Sequence, residues 1–166
     1  MPIYIVDSNF FIEAHRINYP IDIAFSYWEK IKKFADTEII CSIDKVKAEI
    51  YDKNDILEKW CTTNLPKDFF KNSETAINSY TKIANWAYSK NNHYLPRAIE
   101  EFLDSKEADA FLIAYALEDI KERVIVTQEV SKPHTKNKIK IPDVCLNFQI
   151  RTINTLGLFR ELNENF

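Results

Sequence analysis

The residues Ile3-Tyr4-Ile5-Val6 form an unbroken apolar run that stops at Asp7. A short run rich in Ile and Val suits a strand covered on both faces, the form that strands take in parallel sheets. Two similar runs follow, Glu38-Ile39-Ile40-Cys41 and Val124-Ile125-Val126-Thr127, and Arg151-Thr152-Ile153-Asn154 is a fourth. Between them the apolar spacing is helical. Ile23, Tyr27, Ile31 and Phe34 place one stripe on a helix from about Ala24 to Ala35, and Ile43, Val46 and Ile50 mark the next. Strands alternating with helices give a doubly wound sheet with right-handed crossovers. The expected fold is therefore α/β, a three-layer α/β/α sandwich with a mostly parallel sheet of four or five strands.

The 166 residues suit one domain spanning 1–166. Within it the stretch from about 55 to 100 reads as a wholly helical insertion. Leu57, Trp60 and Cys61 make one stripe there, and Ile77, Tyr80, Ile83, Ala84 and Ala87 another. Phe69 and Phe70 read as a helix start, either core cover or a lid. The alternation over Lys138–Ile141 reads as an edge hairpin. Gly157 is the only glycine, which excludes glycine-rich phosphate loops and the dinucleotide fingerprint. Cys41, Cys61 and Cys145 lie far apart, against both a disulfide framework and a zinc site. With no signal-peptide pattern and no long apolar span, the expected location is the cytoplasm, away from membranes. The net charge of -3 requires that any nucleic-acid contact use a local basic patch.

Acids recur where such a fold places its ligands, outside the carboxyl ends of the strands. Asp7 and Glu129 fall just past strand ends. Asp7 is followed by Ser8 and Asn9, which can cap a helix starting at Phe10, so the ordinary helix-start reading is open too. Ser42 reads as the cap of the next helix, from which Glu49 projects beside the apolar stripe; Lys45 or Lys53 can pair with it at i±4. Asp104 with Glu107 resembles a capping box. Asp109 sits near the start of an almost wholly apolar helix, where it must face something polar. Four converging carboxylates repel one another unless a cation relieves them. Hard oxygens without a His/Cys set suit Mg²⁺ or Mn²⁺, and phosphodiester hydrolysis is the chemistry that uses such a site.

Four stretches together resemble the PIN-domain ribonucleases, over nearly the whole chain: Val6-Asp7-Ser8-Asn9, Ser42 to Glu49, Ala108-Asp109-Ala110-Phe111-Leu112-Ile113-Ala114 and Val126-Thr127-Gln128-Glu129. The resemblance implies that Asp7, Glu49 and Asp109 hold the Mg²⁺ or Mn²⁺ ion and that Glu129 completes the set, with Asn9 and Thr127 as orienting residues. Glu129 stands where the family usually has Asp, and the segment 130–148 is longer than in the minimal domain. Both features resemble a prokaryotic PIN-like branch. Asp143 is an alternative fourth acid, and Glu107 a further neighbour. Many compact PIN proteins are toxins of toxin–antitoxin pairs, which implies an endoribonuclease acting on RNA, an antitoxin partner and a homodimer. Lys132, Lys136, Lys138, Lys140 and Arg151 are the candidate phosphate contacts.

Other classes fit less well. A haloacid-dehalogenase-type phosphatase needs a second Asp where Asn9 stands. A receiver domain needs a phosphoacceptor Asp where Thr127 stands. DNA structure-specific nucleases usually carry larger helical arches and more basic surface. A non-catalytic PIN-like module that binds nucleic acid or protein is the alternative from another class.

Overall fold

The computed structural model describes residues 1–166 and contains one sheet of five strands, all parallel. These are β1 (Ile3–Val6), β2 (Ile40–Ile43), β3 (Phe70–Lys71), β4 (Arg123–Val126) and β5 (Thr152–Ile153), in the order β3-β2-β1-β4-β5. Helices flank the sheet: α1 (Ser8–Glu13), α2 (Phe25–Asp36), α3 (Asp44–Tyr51), α4 (Ile56–Asn64), α5 (Ile77–Ser89), α6 (Pro96–Phe102), α7 (Asp109–Leu117), α8 (Ile141–Phe148) and α9 (Thr155–Glu161). The three-layer α/β/α sandwich is thus present. No helix is long and apolar enough to cross a membrane.

The central strand explains the register. Tyr4, Ile5 and Val6 are all buried, because β2 and β4 cover both edges of β1 and helices cover both its faces. Ile3 pairs with Arg123 and Val6 with Val126, so β1 and β4 end level and their following residues leave the sheet side by side. The Ser42 hydroxyl donates to the Val6 carbonyl at 2.6 Å and ties β2 to the same edge. Ser42 therefore lies inside β2, and the cap position before α3 belongs to Ile43. On one side, Tyr27 and Phe34 of α2 pack on Phe159 of α9, and Trp28 packs on Trp60 of α4. Elsewhere α7 is the buried helix foreseen from its composition, with Tyr80 of α5 stacked on its Phe111.

Several local expectations change. The stretch 55–100 is not wholly helical, since Phe70 and Lys71 pair with Ser42 and Ile43 as the edge strand β3. Phe69 is core and no lid, with 2% of its surface exposed against Phe11. Two paired residues are too few to show a period of two, and the neighbouring helical spacing masks them. No hairpin forms over Lys138–Ile141; these residues lead directly into α8, whose first turn contains Pro142. Asp104 and Glu107 shape a turn before α7 and not its cap: Asp104 accepts from the Lys106 N–H, and α7 begins only at Asp109. All three cysteines are buried free thiols.

Candidate metal centre

The carboxyl end of β1 feeds straight into α1, and Asp7 is the cap between them. Its extended backbone turns the side chain back so that Oδ1 accepts from the Phe10 N–H at 2.8 Å. Its Oδ2 accepts from the Thr127 hydroxyl at 2.6 Å, across the gap to the end of β4. Thr127 in turn accepts from the Glu129 N–H at 3.1 Å, so one hydroxyl links two of the candidate acids. Asn9 makes no such bond, contrary to the role expected for it. Asp7 is itself the cap, so the helix begins at Ser8 and Asn9 is carried into its first turn. Thr127 does the orienting instead.

Glu49 reaches the same edge from α3. Its two oxygens accept from the Ser8 hydroxyl and, at 2.9 Å, from the Ala108 N–H just before α7. Neither Lys45 nor Lys53 pairs with it. Lys45 donates to the Ser105 carbonyl and lies over the Phe111 ring, and Lys53 lies beside Asp52. Ser8 is thus a positioning residue that sequence reasoning treated only as a cap. Its signal is spatial, since 41 positions separate it from Glu49.

Glu129 is almost fully enclosed, with 8% of its side chain exposed. It accepts from the Ile141 N–H at 2.8 Å and lies 3.5 Å from the Lys138 ammonium. Asp143 is placed elsewhere: its oxygens accept from the Ser131 hydroxyl and the Lys132 N–H, closing the loop before α8. The fourth acid facing Asp7 and Asp109 is therefore Glu129. Glu107 stands exposed in the turn before α7.

The electrostatics bind these groups together. Burial pushes the Asp7 carboxyl up to about 7, against the pull of Thr127 and the Phe10 N–H, and repulsion from Glu129 and Glu13 adds to the rise. Burial pushes Asp109 up to about 8, and Glu129, Asp7 and Glu49 all repel its charge while Lys138 opposes them. No hydrogen bond offsets this at Asp109. Desolvation and like charges raise carboxylate pKa values in this manner wherever counter-charge is short.

A hard divalent ion prefers carboxylate oxygens, and those available at this edge belong to Asp7, Glu49, Asp109 and Glu129. No group of three or more His, Cys, Asp or Glu side chains stands close enough together to hold a metal ion. Mg²⁺ keeps several waters and takes only one or two direct carboxylates, so it does not require such a group. Asp109, which no hydrogen bond holds, is the first direct candidate, and Asp7, Glu49 and Glu129, each already held by N–H or hydroxyl donors, would complete the set directly or through water.

The candidate cations divide. Lys132, Lys136 and Lys138 are exposed and Lys140 is half-buried, all on the segment beside Glu129. Arg151 precedes β5 and is ion-paired with Glu161 of α9, so its charge is already matched.

Residues 4–166 match the family model described as Domain of unknown function (DUF4411). No curated protein and no solved structure matches the chain.

Proposed function

The chain belongs to the DUF4411 family, and we propose that it is a metal-dependent endoribonuclease that hydrolyses RNA phosphodiester bonds at the carboxyl edge of its sheet. The observation that carries this reading is the pair Asp7 and Asp109. Both acids sit among further acids, both hold their protons far above the usual carboxylate range, and one lysine is the only cation that offsets Asp109. Perturbed carboxylates of this kind collect at functional sites. The resemblance of the four motifs to PIN-domain ribonucleases supports the same reading.

When bound, Mg²⁺ or Mn²⁺ supplies water of lowered pKa and charge compensation for a phosphate. The chain's own part is to hold the acids. Phe10 N–H and Thr127 fix Asp7, Ser8 and Ala108 N–H fix Glu49, and Ile141 N–H fixes Glu129. Lys138 keeps Glu129 partly neutralised until a cation arrives. Lys132, Lys136 and Lys138 then offer contacts to the RNA backbone.

The test is Mn²⁺-dependent cleavage of labelled single-stranded and structured RNAs by wild type and Asp7→Asn. Cleavage by wild type that the amide abolishes is the expected result. Equal residual cleavage by both proteins would mark a contaminant. The resemblance extends the proposal to the toxin of a toxin–antitoxin pair. Induced expression without a partner should then arrest growth, and Asp7→Asn should relieve the arrest.

The absence of a three-acid cage favours a second reading, a non-catalytic module for nucleic acid or protein. No cleavage and no Mn²⁺-dependent rise in melting temperature would support it. A rise without cleavage would leave the metal centre standing and the RNA set at fault.

A further inference from the structure

Beside α8, bordered by Asp143 but by none of Asp7, Glu49, Asp109 and Glu129, lies a cavity of about 500 Å³ that the reaction as described does not use. We propose that it binds one unpaired nucleobase of the RNA strand, an inference that rests on the ribonuclease reading. Trp86 of α5, His93 and Tyr94 of the α5–α6 connection, and Leu146 and Asn147 of α8 line it, with Lys90 at its side. The volume falls in the range of small-molecule sites.

The lining has the chemistry of a base. Trp86, His93 and Tyr94 are mutually tilted: His93 meets Tyr94 at 78° and Trp86 meets Tyr94 at 60°. Trp86 and His93 are half-buried, so they, and not the buried Tyr94, can offer a face to an incoming ring. Trp86 Nε1 and His93 Nε2 are shielded from solvent, yet no protein group pairs with either. Buried polar atoms are normally satisfied, and a guest in the cavity reaches these two only once the rings turn toward it. A nucleobase offers what is missing, a flat π-face together with edge donors and acceptors. The Lys90 ammonium suits an adjoining phosphate.

Position favours a strand over a free nucleotide. A second depression, of about 340 Å³, is lined by Thr127, Glu129, Pro142, Leu146 and Asn154. Leu146 lines both, and it is 72% exposed on the ridge between them. Glu129 holds the first N–H of α8, and Leu146 lies five residues further on, roughly 8 Å along the helix at 1.5 Å per residue. A strand whose phosphate rests at the acids can therefore lay a neighbouring base over Leu146 and into the cavity. The chain has no glycine-rich loop to grip the phosphates of a free nucleotide, its sole glycine being Gly157.

Trp86 gives the test its signal, because Trp28 and Trp60 pack on each other, with ring centroids 4.7 Å apart, and do not line the cavity. Tryptophan emission and the polarisation of a fluorescein-labelled single-stranded RNA octamer are measured in EDTA, where cleavage cannot occur. Binding should quench emission in wild type and not in Trp86→Phe. Leu146→Glu, an exposed change that spares the core, should weaken RNA binding about ten-fold or more. Both variants should keep the Mn²⁺-dependent melting shift, which reports the acids alone. RNA bound without quenching, with Leu146→Glu unaffected, would overturn the base site and leave the ribonuclease reading intact. Quenching by nucleoside monophosphates as strong as by the octamer would overturn the strand assignment in favour of a free-nucleotide site. Loss of both RNA binding and the Mn²⁺ shift in wild type would overturn the ribonuclease reading itself.

Discussion

The two ends of the sheet treat their acids in opposite ways. Toward the amino ends of the strands, Glu161 accepts from the Tyr4 hydroxyl and pairs with Arg151. Glu164 pairs with Lys30 and Lys33, which hold its carboxyl well below the usual range. Arg123 stacks on the Tyr115 ring and donates to its carbonyl. Toward the carboxyl ends, the buried Asp7 and the half-buried Asp109 lie among acids, and Lys138 is the one cation that opposes the repulsion on Asp109. One fold therefore has enough cations to neutralise one end and leaves the other short. Buried charge without compensation costs stability, so an arrangement that a few lysines would cure marks the end where a ligand is expected.

The contrast is broken or sharpened most by removing the charge that defines it. Asp109→Asn should lower Mn²⁺-dependent RNA cleavage by at least about 100-fold, more than the loss typical of residues that only support a metal ligand. A cleavage rate within a few-fold of wild type would erase the functional difference between the two ends.

The next effect is on stability against pH. Asp7 and Asp109 titrate near 7 and 8 in the folded chain and near 3.8 when free. Between those values the folded state binds more protons than the unfolded state, so metal-free stability should fall as pH rises from about 4 to about 8. Together the two shifts correspond to a loss on the order of 10 kcal/mol across that range. Urea unfolding at pH 5 and pH 8 measures it; Asp7→Asn should flatten the profile, and Mn²⁺ at pH 8 should restore stability. A metal-free profile that is flat in wild type would mean the acids are compensated after all.

Thr127→Val keeps the shape and removes the hydroxyl between Asp7 and Glu129. Cleavage should fall about ten-fold, and stability by about 1 kcal/mol. Replacing Lys132 and Lys136 with Ala should weaken RNA binding at low salt and lessen its salt slope, read by polarisation across a salt series. The smallest effect belongs to the compensated end. Arg151→Ala should leave RNA affinity and its salt slope unchanged and cost less than about 1 kcal/mol, as exposed ion pairs usually do.

The fold was legible because its strongest signals are local. β1, β2 and β4 are short apolar runs covered on both faces, and that composition survives in one dimension. Asp7 and Glu129 were legible for the same reason, since each follows such a run directly. β3 was not, because Phe70 and Lys71 become a strand only by pairing with β2. The orienting bond from Asn9 to Asp7, implied by the resemblance to PIN-domain ribonucleases, is not made here, since Asp7 caps α1 and accepts from the Phe10 N–H and Thr127 instead. Ser8 and the Ala108 N–H went unseen as partners of Glu49, and the pair Arg151–Glu161 disguised a matched arginine as a free one.

The sequence by itself determined the α/β layering, the mostly parallel sheet and the two acids that follow strand ends, Asp7 and Glu129, because burial patterns and strand ends are properties of consecutive residues. Only the tertiary structure decided which hydroxyl holds Asp7, that Glu129 and not Asp143 faces Asp109, and that Trp86, His93 and Leu146 border one cavity. Those outcomes depend on side chains brought together across tens of residues, where hydrogen-bond geometry and the loss of solvent choose among partners that the linear chain leaves equivalent.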